Sequence, residues 1–349
     1  MLLAKFSQEE WELIQALPSS LSLRRIAKRI SLSPVSVWRI YKKLYEKGKF
    51  YYVFDTRRFG LCYLAVISTY PGNGENAWPQ GTLTVRKIWG LKPYTLFSAL
   101  IPCTFISEYV KSLNADVVTV VRGLEIYWWR PDSGGSILMP GKGLMPFLSK
   151  TLEELYFKEK HAAPPRELPD RIEAPDPIDL AILVKKLQAG PFAKPIEGIK
   201  YAASIDPLFP RVSEKTVSYH YRKHVLPGWL YNTFIPYLPI NDVPLRVFYF
   251  EGREAPALAR ILINLPYFIT ALVDVNASLL TGQIPPWMME TVYRVISSFD
   301  VEAPLCQLVM SSRSIAKFIP HLWKFLKETR RGWTWHWPKE KVRIVQKKK

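Results

Sequence analysis

Acidic residues, cysteines and long apolar runs are all scarce in this chain of 349 residues. Its 30 Asp and Glu residues are outnumbered by 48 Lys and Arg residues, so the formal net charge is +18. An excess of this size is typical of proteins that bind a polyanion, either nucleic acid or an anionic membrane surface. A thermophile-type charged surface is the alternative, but it adds charges of both signs together.

The three cysteines, Cys62, Cys103 and Cys306, are far apart, and each lies in an apolar run. Their number is odd, and no pair has the spacing of a zinc site. We therefore expect buried free thiols in a reducing cytoplasm.

Secretion and membrane signals are also missing. The beginning, MLLAKFSQEEWELIQAL, turns acidic too early for a signal peptide. The longest apolar stretch, ILINLPYFITALVDV, contains Pro266 and ends at Asp274, short of the ~20 residues that cross a bilayer. The expectation is a soluble cytoplasmic protein without a membrane partner.

Enzyme signatures are not found either. There is no P-loop, dinucleotide fingerprint, nucleophile elbow or carboxylate pair placed for acid–base work. The turn PGKGLMP, at residues 140–146, lacks the rest of a phosphate-binding loop. No catalytic residue, cofactor or metal is predicted.

A segment rich in proline and charge, KEKHAAPPRELPDRIEAPDPID, divides the chain into halves of similar size. A shift of 180 positions (213 − 33) aligns SPVSVWRIYKKLYEKGKFYYVF with SEKTVSYHYRKHVLPGWLYNTF. Seven positions of the first stretch then meet identical residues: Ser33, Val37, Tyr41, Lys43, Gly48, Tyr51 and Phe54. Matches in one order indicate a diverged internal repeat.

The predicted fold class is α+β, with a winged helix-turn-helix followed by a ferredoxin-like βαββαβ module in each half. The predicted boundaries are a winged helix at 1–57, an α/β module at 58–150 and a linker at 151–177. A diverged winged helix at 178–240, a second α/β module at 241–335 and a basic tail at 336–349 follow. In the first α/β module we expect a helix around Leu83 to Trp89.

The third helix of the first module has the features of a recognition helix. Ser33 is a good N-cap, and Pro34 suits the first helical position. Val37, Ile40, Tyr41 and Leu44 have the spacing of a buried stripe. The opposite face carries basic and hydrogen-bonding side chains of the kind that read a major groove.

Residues 20–60 contain eleven basic and two acidic side chains, a concentration that suits phosphate neutralisation. The predicted nucleic-acid-binding residues are Arg24, Arg25, Lys28, Ser36, Trp38, Arg39, Lys42, Lys43, Arg57 and Arg58. The alternative is a helical trio used for packing or dimer contact, whose basic residues are solvated. An exposed Trp38 argues against that alternative, because an exposed indole usually has a partner.

The corresponding helix of the second half keeps a polar, basic face: Lys215, Ser218, Tyr219, Arg222 and Lys223 are its predicted secondary contacts. His220 and His224 replace the buried Ile40 and Leu44. Their spacing of one helical turn can hold a metal or serve a tetrapyrrole, but no third ligand is apparent, and ordinary packing or surface placement is the expectation.

Tryptophans alternate near the end of the chain, in GWTWHWPKEK. Trp333, Trp335 and Trp337 would share one face of a strand. Covering a core is the first interpretation, and stacking on unpaired bases is the second.

With these elements the chain resembles the Lrp/AsnC family of archaeal and bacterial regulators. The resemblance is carried by the three helices and by DTRRFGLCYLAVIS after the wing, over about residues 7–70. It implies that Ser36, Arg39, Lys42 and Lys43 lie on a DNA-recognition helix, and that the α/β module dimerises through its sheet and often binds an amino-acid effector. The family is usually half this length, and DVNASLL occupies the place of its glycine-containing effector turn.

The sequence therefore predicts a DNA-binding transcription regulator, either a homodimer or a pseudo-dimeric monomer. An RNA- or ribosome-binding factor that uses the same basic surfaces is the alternative. A siroheme decarboxylase-like tetrapyrrole enzyme is the third interpretation.

Overall fold

The computed structural model describes residues 3–69, 77–140, 142–147, 157–159, 162, 165–166, 174–330 and 332–343. It mixes helices and strands throughout, so the α+β class is confirmed. The helices are α1 (Gln8–Ala16), α2 (Leu23–Arg29), α3 (Pro34–Leu44), α4 (Ile106–Ser112), α5 (Pro177–Ala189), α6 (Pro195–Ile205), α7 (Glu214–His220), α8 (Ala255–Leu262) and α9 (Met289–Ile296).

Strands come in two sets that are separated by the helices α5–α7. The first half contains β1 (Gly48–Phe54), β2 (Leu61–Thr69), β3 (Ala77–Pro79), β4 (Thr82–Trp89), β5 (Pro93–Pro102), β6 (Val117–Gly123), β7 (Glu125–Trp128), β8 (Ser136–Met139) and β9 (Gly143–Pro146). The second half contains β10 (Trp229–Pro236), β11 (Arg246–Glu251), β12 (Phe268–Val273), β13 (Ala277–Gly282), β14 (Gln307–Lys317), β15 (Leu326–Thr329), β16 (Gly332–Trp335) and β17 (Lys341–Arg343).

The large sheet has the order β6-β2-β5-β4-β14-β11-β13-β12-β7. Within it, β6-β2-β5-β4 and β14-β11-β13-β12 both follow the order fourth-first-third-second along the chain, which is the order of a ferredoxin-like sheet. The two sets of four strands are joined by the pairing of β4 with β14. At the other end of the sheet, β12 pairs with β7, the strand that follows β6 in the chain. Because β6 and β7 are separated only by Leu124, the two ends of the sheet meet and the sheet curls upon itself.

One predicted element of this sheet is wrong. The segment around Leu83 to Trp89 is the strand β4 and not a helix. It pairs with β5 on one edge and with β14 on the other. Its β-branched residues Thr84, Val85 and Ile88 suit a pleated surface, and a partner from the distant second half stabilises it there.

The curled sheet encloses a small core to which both halves contribute, including Ile67, Leu96, Val247 and Leu279. Two larger cores lie outside it, and their membership crosses over between the halves. One combines α1–α3 with α8 and α9 of the second half, and the other combines α5–α7 with β2, β5 and α4 of the first half. Each helical group therefore buries its apolar face against the α/β part of the opposite half.

Strands β1 and β10 form a separate antiparallel pair between the two helical groups. Tyr52 lies opposite Asn232 at its centre, and the shift found in the sequence relates the same two positions (52 + 180 = 232). Gly48 packs against Phe234, and Gly228 packs against Phe54, so the ends of the pair obey that shift as well. The pairing has the reciprocity of a two-fold contact.

The cysteines only partly match the expectation of buried thiols. Cys62 is buried, Cys103 is half-buried and Cys306 is exposed. Cys306 adopts φ 55° just before β14, so its burial, expected from the apolar residues around it, is not found. The predicted domain boundaries remain predictions, and the predicted linker lies mainly outside the described residues.

The glycines of the β1–β10 pair provide a test of this packing. A Cβ at Gly48 would lie 2.2 Å from the carbonyl oxygen of Ile235, and one at Gly228 would lie 2.3 Å from the ring of Phe54. Overpacking typically costs about 1–3 kcal/mol, so Gly48→Ala and Gly228→Ala should both lower the free energy of unfolding measured in urea.

Rescue distinguishes the two variants. Adding Phe54→Leu should restore part of the stability lost in Gly228→Ala, because a side chain is the obstacle. Adding Phe234→Leu should restore little in Gly48→Ala, because the Ile235 carbonyl remains. Unchanged stability in both single variants would contradict the described pairing.

Candidate nucleic-acid interface

Helix α3 begins as the sequence predicts. The hydroxyl of Ser33 accepts a hydrogen bond from the backbone N–H of Ser36 at 3.1 Å, and Pro34 occupies the first turn. The preceding helix α2 is capped in the same way by Ser22, which accepts from the N–H of Arg25. Ser31 adopts φ 55° in the turn between them. The two helices thus join in the tight turn expected of a helix-turn-helix.

The inward stripe of α3 is also where the sequence predicts it. Val37, Tyr41 and Leu44 are buried, and Ile40 is half-buried. The ring of Tyr41 lies 4.5 Å from that of Phe50 in β1 and 5.3 Å from that of Phe192 in the second half, measured between centroids. Burial of this stripe in a core shared by both halves fixes the rotation of α3 about its axis.

The outward face of α3 is exposed. Val35 is 61% exposed and Trp38 is 47% exposed, and Arg39 and Lys42 are exposed beside them. The ammonium group of Lys42 lies 5.2 Å from the centre of the Trp38 ring. Within the described residues neither Arg39 nor Lys42 is paired with a carboxylate. The charge of this face therefore remains available to a partner.

The remaining predicted contacts fall into two groups. Arg24, Arg25, Lys28 and Arg58 are exposed. The others already have partners within the protein: Ser36 bonds the Ser33 hydroxyl, Lys43 lies 3.3 Å from Glu10, and Arg57 lies 3.3 Å from Asp55. The structure thus brings Trp38, Arg39 and Lys42 together at one exposed place and leaves Lys43 and Arg57 beside acidic groups.

The buried Glu10 of α1 forms ion pairs with Lys43 at the end of α3 and with Lys47 after it, a role that the sequence analysis did not predict. Its carboxylate, 2% exposed, receives the Lys47 ammonium group at 2.6 Å and the Lys43 group at 3.3 Å. It also accepts the N–H of Ser7 at 2.8 Å, completing a capping box at the start of α1. Burial tends to raise the pKa of Glu10, but the two lysines and the Ser7 N–H outweigh it and hold the pKa below its usual value.

Helix α7 repeats the start of α3. Ser213 caps it through the N–H of Thr216 at 3.2 Å. The predicted secondary contacts Lys215, Ser218, Tyr219, Arg222 and Lys223 are all exposed. After His220 the helix continues as a π-helical turn, Tyr221–Val225.

His220 and His224 are neither surface nor plain core residues, because both bond Asp179 near the start of α5. The Nδ1 atom of His220 lies 2.9 Å from a carboxylate oxygen of Asp179, and that of His224 lies 3.0 Å from the other. Burial raises the pKa of Asp179, while both histidines oppose that shift. The expectation that HxxxH has no third partner is thus corrected: Asp179 lies 41 and 45 residues away in the sequence.

The tryptophans of the last strands cover a core, as the first interpretation expected. Trp333, Trp335 and Trp337 are half-buried and pack against the core that contains α5 and β5. Trp337 meets the rings of Phe105 and Phe325. The lysines beyond residue 343 lie outside the described residues.

A second basic cluster lies where β1 approaches β4. The hydroxyls of Tyr51 and Tyr237 are 2.9 Å apart, and the Lys49 ammonium group lies 4.8 Å from the centre of the Tyr51 ring. Burial lowers the pKa of Arg86 and that of Lys49, and for Lys49 the charge of Lys317 adds to the effect. Within the described residues neither Lys49 nor Arg86 has a carboxylate partner, although Arg86 contacts the sulfur of Met310.

No helix in the described part of the chain is long and apolar enough to cross a bilayer.

Comparison with known proteins gives few relatives. No family model matches the sequence, and no curated protein matches it. Among solved structures, the chain is similar to the crystal structure of the siroheme decarboxylase NirDL, with a TM-score of 0.42 and 12% identity. That alignment covers 88% of this chain and 91% of the other.

Glu10→Gln tests the electrostatic support of α3. The variant keeps the size of the side chain but removes the charge that Lys43 and Lys47 share, and we expect a loss of about 1–3 kcal/mol in unfolding free energy at neutral pH. Glu9→Gln, an exposed neighbour in the same helical turn, is the matched control and should cost little.

The pH dependence follows from the lowered pKa. A depressed carboxyl pKa adds stability above its unfolded value, about 4.3, and this stability is lost as the pH falls through the folded value. The difference between wild type and Glu10→Gln should therefore be full at neutral pH and shrink below about pH 4. A difference that is constant with pH would rule out the ion pairs as its source.

Proposed function

We propose that this protein is a DNA-binding transcription regulator of Lrp/AsnC-like architecture and that α3 is its recognition helix. The observation that carries the proposal is the exposed face of Trp38, Arg39 and Lys42, whose two cations have no acidic partner among the described residues. A guanidinium group can donate two hydrogen bonds to a guanine edge, and an ammonium group suits a phosphate. Arg24, Arg25 and Lys28 on α2 would contact the backbone beside the groove.

We further propose that one chain performs the role of a dimer. Helix-turn-helix proteins commonly bind as two-fold dimers, so that two recognition helices meet two half-sites. Two observations support such an arrangement between two diverged copies. Strands β1 and β10 pair symmetrically, and each large core combines helices of one half with α/β elements of the other half. Lys215 on α7, and Arg222 and Lys223 in the π-helical turn after it, would then contact phosphates in the second half-site.

The copies differ in what they can read. The face of α3 offers an indole and a guanidinium group at its centre, whereas that of α7 offers the phenol of Tyr219 and is followed by a π-helical turn. We propose that α3 supplies most of the base contacts and that α7 supplies mainly backbone contacts. The expected target is an asymmetric DNA site in which the base sequence matters in the half-site bound by α3 and matters little in the other.

RNA remains the principal rival, since basic helices also bind its backbone. The aromatic residues that favoured RNA, Trp333, Trp335 and Trp337, are half-buried against a core. They offer little free surface for base stacking, and this supports DNA.

A second candidate function rests on the cluster of Lys49, Arg86, Tyr51 and Tyr237. Cations that are removed from water without a carboxylate partner are costly unless an anion compensates them. A small carboxylate-bearing ligand would do so, and tetrapyrroles carry several carboxylates. This supports the reading as a tetrapyrrole enzyme, for which this cluster would bind the substrate.

The double variant Arg39→Ala with Lys42→Ala tests the main proposal. Each specific base contact contributes about 1–3 kcal/mol, so the pair should weaken binding to a selected DNA fragment by a few kcal/mol. Fluorescence anisotropy at several salt concentrations is the measurement.

Lys111→Ala with Lys327→Ala is the matched control, because it removes the same charge from exposed positions on α4 and β15. It should change affinity little. Equal effects of the two double variants would mean that net charge and not α3 governs binding.

What the purified protein carries at moderate salt separates the candidate functions. A discrete set of DNA fragments supports regulation, and ribosomal RNA supports the rival. A bound chromophore with visible absorbance, lost in Arg86→Gln, supports the tetrapyrrole enzyme.

A further inference from the structure

The two histidines of the second helical group converge with a carboxylate on one point. The Nδ1 atom of His220 lies 2.9 Å from Oδ1 of Asp179, and the Nδ1 atom of His224 lies 3.2 Å from Oδ1 and 3.0 Å from Oδ2. The donor atoms of the three residues all lie within 4.8 Å of one another. These nitrogens and oxygens are ligands that a divalent transition metal accepts.

We infer that Asp179, His220 and His224 form a binding site for a divalent transition metal, with zinc as its natural occupant. This inference is independent of the proposed DNA binding. It assigns a ligand to a motif that the nucleic-acid interface does not use.

Distances support coordination. Zinc binds histidine nitrogens and carboxylate oxygens at about 2.0–2.2 Å, so the ligands of a tetrahedral site lie about 3.3–3.6 Å from each other. The nitrogens and carboxylate oxygens lie 2.9–3.2 Å apart in hydrogen bonds, a few tenths of an ångström closer than in such a site. To accept an ion, the two Nδ1 atoms must be without protons and the side chains must move apart slightly.

The buried negative charge of Asp179 also favours a bound metal ion. The Asp179 side chain is 4% exposed, and the described part of the chain places no lysine or arginine in an ion pair with it. A buried carboxylate is stable only when it is paired or coordinated. The two imidazoles are its only ion-pairing or hydrogen-bonding side chains among those described, and a divalent cation held between the three residues would compensate its charge fully.

The local backbone is unusual at the same place. His220 ends the α-helical part of α7, and His224 lies in the π-helical turn that follows. Such turns are rare and often occur at functional sites. Here the turn helps to bring His224 over the same carboxylate as His220.

The ligand types define the metal class. Two imidazoles and one carboxylate suit zinc, and they also suit ferrous iron, cobalt and nickel, whereas a soft ion such as cuprous copper prefers sulfur. The side chain of His220 is 13% exposed and that of His224 is 39% exposed. Solvent can therefore reach the metal from the side of His224 and complete its coordination with water.

Metal titration of the chelator-treated full chain tests the inference. We expect saturable binding of one zinc ion per chain by calorimetry, a raised melting temperature with added zinc, and visible absorption bands when cobalt replaces zinc. Because binding to the folded form alone stabilises it, the melting temperature should rise with zinc concentration.

Two variants and a control locate the site. His224→Gln and Asp179→Asn should abolish saturable zinc binding and the zinc-dependent rise in melting temperature. His321→Gln, which alters a histidine that lies beside Tyr201 and Trp323 instead, should retain both. If Asp179→Asn fails to fold, the more exposed His224→Gln decides, with circular dichroism confirming its fold. No saturable binding in wild type, or equal binding in wild type and His224→Gln, would overturn the inference.

Discussion

The antiparallel pairing of β1 with β10 holds the two halves of the chain together. These strands join the two helical groups, and their side chains feed the two large cores: Phe50 and Phe234 enter one, and Tyr52 and Phe54 enter the other. Each core takes helices from one half and sheet from the opposite half. Neither half can therefore bury its apolar surface alone, and the outward direction of α3 is fixed by contacts that both halves supply.

The electrostatics of the first helical group follow from this packing. With Tyr41 and Leu44 held in the core, the basic residues of α3 separate into those that reach Glu10 and those that face solvent. Lys43 and Lys47 stabilise the buried carboxylate, while Arg39 and Lys42 remain beside Trp38 with no acidic partner in the described structure. Arg39, Lys42, Lys43 and Lys47 all add to the net charge of +18, and only the last two lie beside Glu10.

Local features of this chain could be read from the sequence, and long-range ones could not. The cap at Ser33 and the buried stripe of α3 depend on neighbouring residues, and both were predicted. The strand β4 was not, because one of its two partners, β14, lies more than 200 residues away. Asp179 was missed as the partner of His220 for the same reason, and Cys306 is exposed because a turn precedes β14. The shift of 180 residues was the one long-range signal in the sequence, and it relates the centre of the β1–β10 pair.

The mass of the protein in solution is the decisive test of the pairing of β1 with β10, because the two strands pair within one chain. Light scattering over a range of concentrations should give the mass of one chain, 40.4 kDa. In that monomer, hydrogen-exchange measurements should show that the backbone amides of β1 and β10 are protected. A stable particle of twice that mass, in which protection of these amides is lost on dilution to monomer, would show that the strands pair between chains and would contradict the account.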